Sequence, residues 1–185
     1  MDYKKLILVT GIHGVGKTTI CKRLSSLSGY QYLSASTLIF NYLQTPPPKS
    51  KQVTGLNNLC HNQEVLVQAL STQNYERILL EGHLCLVDED LIIREIPDVY
   101  LNRINLSAIV LLTRSVDNIY HDLLKRGQTQ YTQTFLDKLQ DEEKILFNSV
   151  VKKFNLPSLR IDLSVTEIPL AVTRLNNFLK YVDTL

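Results

Sequence analysis

The chain has 185 residues, 44% of them apolar and 21% charged, the composition of one ordinary globular domain. Twenty basic against eighteen acidic side chains leave a net charge of +2, which argues against a strongly basic nucleic-acid binder and leaves room only for a local basic patch. Three cysteines, Cys21, Cys60 and Cys85, form no CxxC pair and no zinc-spaced cluster, and the longest apolar run, Leu106 to Leu112, is too short to span a bilayer. The odd cysteine count, and an N-terminus that runs straight into an apolar segment, predict a cytoplasmic protein without a targeting segment.

Lys5 to Thr10 is an apolar run without polar alternation and predicts a central strand of a parallel sheet, buried on both faces. A glycine-rich turn and a helix over Thr18 to Leu27 follow, with Ile20, Leu24 and Leu27 on one stripe. Tyr30 to Leu33 reads as a second strand, and Ser34 or Ser36 as the cap of a helix through Tyr42. Thr45 to Asn57 holds Pro46-Pro47-Pro48 and is the poorest stretch for regular structure, an excursion from the core. Helical spacing returns from about Leu59 to Gln73.

Arg77 to His83 predicts the next strand. Val87 to Ile93 predicts a small hairpin, with Asp88, Glu89 and Asp90 as an exposed acidic turn or, for one of them, a stand-in for the acid at Glu81. Ser107 to Thr113 is a further strand; Ser115 or Asp117 caps a helix ending near Gly127, and a long helix follows from about Thr134 to Phe154. Ser158 to Asp162 is the fifth strand, and Glu167 to Tyr181 the last helix. Five strands alternating with helices predict an α/β protein: a five-stranded parallel sheet with helices on both faces, in one domain over 1–185.

Gly11-Ile12-His13-Gly14-Val15-Gly16-Lys17-Thr18 satisfies G-x-x-x-x-G-K-[ST] between a strand and a helix, the context the motif requires. Gly11, Gly14, Val15 and Gly16 bring backbone amides together on phosphates, and the helix N-terminus adds positive field. Lys17 reaches the β- and γ-phosphates, the Thr18 hydroxyl ligates magnesium, and Thr19 lies near the α-phosphate. The expected ligands are therefore ATP and Mg2+. His13 either fills a variable position of the loop or touches a phosphate or the acceptor.

Phosphoryl transfer also needs a carboxylate beside this loop to hold the metal's shell. Glu81, at a strand end and followed by Gly82, meets that requirement; Thr18 and Glu81 are the predicted metal pair. His83 is a candidate partner of the acceptor or of Glu81, or else a packed imidazole. Mobile cations must cover the transferring group. Arg126, before Gly127, is the first choice, with a role in complementing the helix dipole as its alternative. Arg114 is a second nucleotide-side candidate, and Lys49 and Lys51 are candidates for an acceptor phosphate.

These features together resemble the adenylate kinase-like branch of P-loop kinases, in particular its short archaeal-type and nuclear forms. The resemblance rests on Gly11 to Thr19, on Glu81-Gly82-His83 and on Leu123-Leu124-Lys125-Arg126. It implies a three-layer P-loop kinase fold with strand order 2-3-1-4-5, an acceptor-side excursion over 45–73 and a short lid over 127–133. It implies catalytic roles for Lys17, Glu81 and Arg126, and it matches Gln63 to an acceptor-side glutamine. The chain departs from the family at Thr37 to Asn41, where an arginine is usual, and at Gln128 to Thr132, where the lid has none. The implied function is ATP-dependent phosphoryl transfer to a small acceptor, a nucleoside monophosphate first. The alternatives are an ATP-binding switch or slow ATPase acting on a protein partner, and a polynucleotide 5′-kinase. No membrane role is expected, and nucleic acid is the least favoured partner.

Overall fold

A computed structural model describes residues 5–44 and 55–185, with side chains from 58 onward in the second stretch. The apolar run becomes β1 (Lys5–Thr10), where Leu6, Ile7 and Val9 are fully buried. It lies at the centre of a five-stranded parallel sheet. On one side it pairs with β3 (Arg77–Glu81), which pairs with β2 (Gln31–Ser34). On the other it pairs with β6 (Ala108–Thr113), which pairs with β7 (Ser158–Asp162). The order β2-β3-β1-β6-β7 is the 2-3-1-4-5 order expected of the five sheet strands, in a three-layer α/β fold. Central strands read as continuous apolar runs because both faces are covered; the edge strands β2 and β7 are more exposed.

The connections dictate where helices lie. The crossover from β1 to β2 carries α1 (Lys17–Ser28), whereas the crossover from β6 to β7 carries α5 (Val116–Lys125) and α6 (Gln133–Phe154) in the opposite direction. Right-handed crossovers running opposite ways put their helices on opposite faces. α7 (Ile168–Asp183) returns to pack on α1, while α6 packs on β6. The direction reverses between β1 and β6, and the crevice at the carboxyl ends of such strands is where ligands bind in open α/β sheets.

α2 (Ala35–Leu43) follows β2 directly. Ser34 occupies its cap position, but its hydroxyl pairs with Ser36 instead of taking a backbone N–H, so neither serine caps the helix as expected. α3 (Gly55–Ser71) starts four residues before the predicted helix and buries Leu59, Val65, Leu66 and Leu70. Residues 45–54, with Lys49, Lys51 and the three prolines, lie outside the described residues. A short helix, α4 (Asp98–Arg103), was not anticipated; Pro97 at its cap, Asp98 in its first turn and Arg103 in its last are ordinary helix signals on a six-residue element.

The hairpin is β4 (Cys85–Val87) against β5 (Ile93–Glu95), with Asp88 to Ile92 as its turn. Here the expected exposed acidic turn is corrected at Asp88, which is buried. Its carboxylate accepts from the N–H groups of Asp90 and Ile92 and from Arg94. Burial pushes that carboxyl up, but the Arg94 guanidinium and the backbone donors outweigh it and hold it below the usual carboxylate range. Of the three acids, Glu89 and Asp90 face solvent. Among the described residues, no helix is long and apolar enough to cross a membrane.

Candidate active site

The loop between β1 and α1 is held on three sides. Gly11 has φ +141, and a Cβ there would stand 2.4 Å from the carbonyl oxygen of Leu112 on β6. The ends of β1 and β6 therefore touch backbone to backbone at the switch point. Gly14 packs beneath Ile119 and Leu123 of α5, and Gly16 beneath Leu163 in the loop after β7. Gly16 caps α1 with φ 116, and the first turn carries no acidic residue to compete with an anion. Replacing Gly11 by alanine should destabilise the protein by about 3 kcal/mol, from a left-handed φ and a backbone collision together; urea unfolding measures it. A loss below about 1 kcal/mol would show that β6 yields at this point.

Lys17 is 5% exposed, and its ammonium donates to the carbonyls of Gly11, at 2.6 Å, and Ile12, at 3.1 Å. The side chain thus lies back across its own loop. Thr18 and Thr19 are exposed on the first turn of α1, and Val15 is buried behind the loop.

Glu81 closes β3 beside this turn. The Thr18 hydroxyl donates to its carboxylate, at 2.8 and 3.0 Å from the two oxygens. The two predicted metal ligands are therefore in direct contact although 63 residues separate them. A hydroxyl and a carboxylate at the solvent-facing edge of a phosphate loop are the oxygen donors that magnesium takes, so the residues present fit that ion. Tyr32 is the partner that sequence reasoning missed: its hydroxyl donates to Glu81. Burial, the Glu81 hydrogen bond and the Glu81 charge raise the Tyr32 phenol well above its ordinary range, so it remains a donor at neutral pH. Its signal in sequence was weak. Tyr32 lies two residues before Ser34, which pairs with Glu81 in the parallel register, so both side chains sit on one sheet face only once β2 is placed next to β3.

His13 and His83 come together, with ring centroids 4.3 Å apart and planes tilted by 54°. One projects from the phosphate loop and the other follows Glu81-Gly82, so both half-buried imidazoles stand where loop and strand end meet. Arg126 is exposed at the end of α5, ahead of a six-residue connection whose Gly127 has φ +74. Gln133, expected in the lid, is the first residue of α6, and Thr132 caps that helix by accepting from the Phe135 N–H. Tyr131 is buried and stacks on Phe135, which anchors the far end of the connection.

Arg114 is taken up by Asp122 on α5, 2.7 Å away, and holds that carboxyl below the usual range. Its backbone is clasped by the Gln140 side chain, which both donates to the Arg114 carbonyl and accepts from its N–H. Gln63 is buried in α3. The structure therefore brings Lys17, Thr18, Glu81, His13 and His83 to one crevice, with Tyr32 added, and it gives Arg114 a different partner. A cavity of about 380 Å³ at β6 and β7 is lined by Thr113, Asp162, Val165 and Thr166 together with the cations Lys144, Arg160 and Arg174.

The profile of a family described as an AAA domain matches residues 10–140, more than half of the chain. No curated protein matches the sequence. Among solved structures, the chain is similar to a shikimate kinase from Acinetobacter baumannii in complex with shikimate, at 13% identity and TM-score 0.68, covering 97% of this chain and 95% of that one. It is also similar to a gluconokinase from Sinorhizobium meliloti, at 13% identity and TM-score 0.54, over 98% of each chain. A third is the YorR protein of Bacillus subtilis in complex with phosphorylated GDP, at 15% identity and TM-score 0.58, over 97% of this chain and 98% of that one. At these identities the likeness carries the fold: a P-loop kinase fold, spanning nearly the whole chain.

Proposed function

The chain belongs to the AAA-domain family, and on that premise we propose that it is an ATP-dependent phosphotransferase acting on a small organic acceptor. The observation that carries this reading is the contact of Glu81 with Thr18 at the mouth of the phosphate loop, at 2.8 Å. It provides a metal-holding pair where a transferring phosphoryl group would sit. The backbone N–H groups from Gly14 to Thr19 and the Lys17 ammonium bind the phosphates of ATP. Thr18 and Glu81 would hold magnesium, which when bound would supply charge neutralisation for the phosphates. The acceptor enters against His13 and His83. Its oxygen forms the new bond to the γ-phosphorus as the bridge to the β-phosphate breaks and ADP leaves; where that oxygen is a hydroxyl, its proton passes to water. Arg126 closes from the end of α5, ahead of the lid, onto the phosphoryl oxygens, and Tyr32 keeps Glu81 oriented.

The acceptor implied by the resemblance to adenylate kinases is a nucleoside monophosphate. α2 contains no arginine, and residues 127–132 contain none, so such an acceptor would meet few cations. A hydroxy acid with one negative charge needs fewer, and the solved structures of the same fold include kinases named for shikimate and for gluconate. Both classes belong in one assay: γ-labelled ATP and magnesium with nucleoside monophosphates, shikimate and gluconate, products separated by chromatography. Label should move to one acceptor. Arg126→Ala should slow that transfer by about a hundredfold or more while MgATP affinity changes less than about threefold. Label released only as inorganic phosphate, with every acceptor, defeats the kinase reading. That outcome favours the second one, a nucleotide switch or slow ATPase working on a protein partner, which the arginine-free lid supports.

A further inference from the structure

Glu143 lies in the middle of α6 and is fully buried. A carboxyl group has no place in an interior unless donors surround it, and here they come from two separate parts of the crevice. From the phosphate-loop side, the Thr10 hydroxyl and the Gly11 N–H, at 3.1 Å, donate to Oε1. From the segment that follows Glu81-Gly82-His83, the Leu84 N–H donates at 3.1 Å to Oε1, and the Cys85 N–H at 3.0 Å to Oε2. The Cys85 thiol adds a fifth donor, 3.1 Å from Oε2. Burial, together with the Glu143 charge and this hydrogen bond, raises that thiol far above its ordinary range, so it stays a protonated donor.

We infer that Glu143 is a positioning residue, a single carboxylate that sets the entrance of the phosphate loop, the strand end bearing Glu81 and His83, and the helix leaving the lid relative to one another. The inference rests on the nucleotide-binding reading above. Its chemistry is specific to a carboxylate. Two acceptor oxygens offer about four lone-pair sites, and the donors around Glu143 use both oxygens. A glutamine of the same size keeps one oxygen and turns an NH2 group toward backbone N–H groups that have nothing else to meet. Apolar packing against α6 would press the segments together without setting the register of these amides. No residue of the nucleotide-binding motif contributes this carboxylate, and it lies 126 residues beyond Lys17.

The test compares wild type with Glu143→Gln and with Phe147→Leu, a change in the apolar core on the same helix that lowers stability without touching these donors. Dissociation constants for MgATP are measured well below each melting temperature, and exchange of the Gly11, Leu84 and Cys85 amides is followed by NMR or mass spectrometry. Glu143→Gln should raise the MgATP constant at least about tenfold and speed exchange of those three amides by about tenfold or more. Phe147→Leu, at a comparable loss of melting temperature, should change the constant less than twofold. If Glu143→Gln does not fold, Thr10→Val carries the same test from the loop side, with a rise of about threefold. The inference is overturned if affinity and exchange stay within twofold of wild type, or if Phe147→Leu weakens binding equally. A wild-type protein that fails to bind MgATP defeats the nucleotide-binding reading instead, and amide exchange alone then decides whether the Glu143 clasp exists.

Discussion

Replacing Lys17 with alanine is expected to weaken MgATP binding by about a hundredfold, read by titration calorimetry. The magnitude follows from the burial of the side chain. A lysine only 5% exposed, its ammonium resting on the carbonyls of Gly11 and Ile12, would meet phosphate oxygens with little solvent screening. Losing such a charge-assisted contact costs about 3 kcal/mol. A second consequence is local. The ammonium bonds the Gly11 and Ile12 carbonyls, so alanine removes a donor from each, and the loop should loosen while the sheet does not. The melting temperature should therefore move little compared with Gly11→Ala. Arginine is no substitute, because a planar guanidinium does not occupy a space shaped for a compact ammonium. Unaltered affinity in Lys17→Ala would mean that nucleotide does not bind at this loop.

Glu81→Gln should lower Mg-dependent turnover by about a thousandfold while leaving nucleotide affinity in EDTA nearly intact. Glutamine keeps the volume, and its oxygen accepts from either Thr18 or Tyr32. What it loses is the negative charge that competes for a divalent cation. The decisive measurement is turnover against magnesium concentration: the variant should require far more magnesium, or not saturate at all. A variant with the wild-type magnesium dependence would assign the metal to another carboxylate. Asp88 is a poor replacement, because its oxygens are already engaged by Arg94, Asp90 and Ile92 within the hairpin.

These two residues differ in how readable they were. Lys17 belongs to a contiguous motif whose spacing is itself the geometry: six residues, Gly11 to Gly16, between a strand and a helix can form only a short loop ending at a helix N-terminus. Glu81 was legible for a weaker reason, as a lone acid at the end of an apolar strand followed by glycine. That pattern says nothing about which neighbour it faces. Thr18 became its partner because β3 lies next to β1, with Val9 and Glu81 in register. Tyr32 was not legible, because its role depends on β2 lying outside β3 rather than beside β1. Arg114 shows the converse. A cation after a strand beside β1 is a reasonable nucleotide contact on paper, yet Asp122, two turns along α5, takes up its guanidinium. Helix phase alone brought that acid within reach.

The sequence by itself determined the class of the fold, the sheet strands and the phosphate loop, because those depend on short-range periodicity and on one compact motif. Strand order entered only through resemblance to a family. The tertiary structure alone decided which side chains meet across the sheet: Tyr32 with Glu81, His13 with His83, Asp122 with Arg114, and Glu143 with two backbone segments 73 residues apart at Gly11 and Leu84. A buried glutamate in an amphipathic helix looks like any solvent-facing one until the helix is rotated onto its sheet. Burial then makes the carboxylate demand donors, and those at hand are the Thr10 hydroxyl, the Cys85 thiol and the amides that frame the crevice.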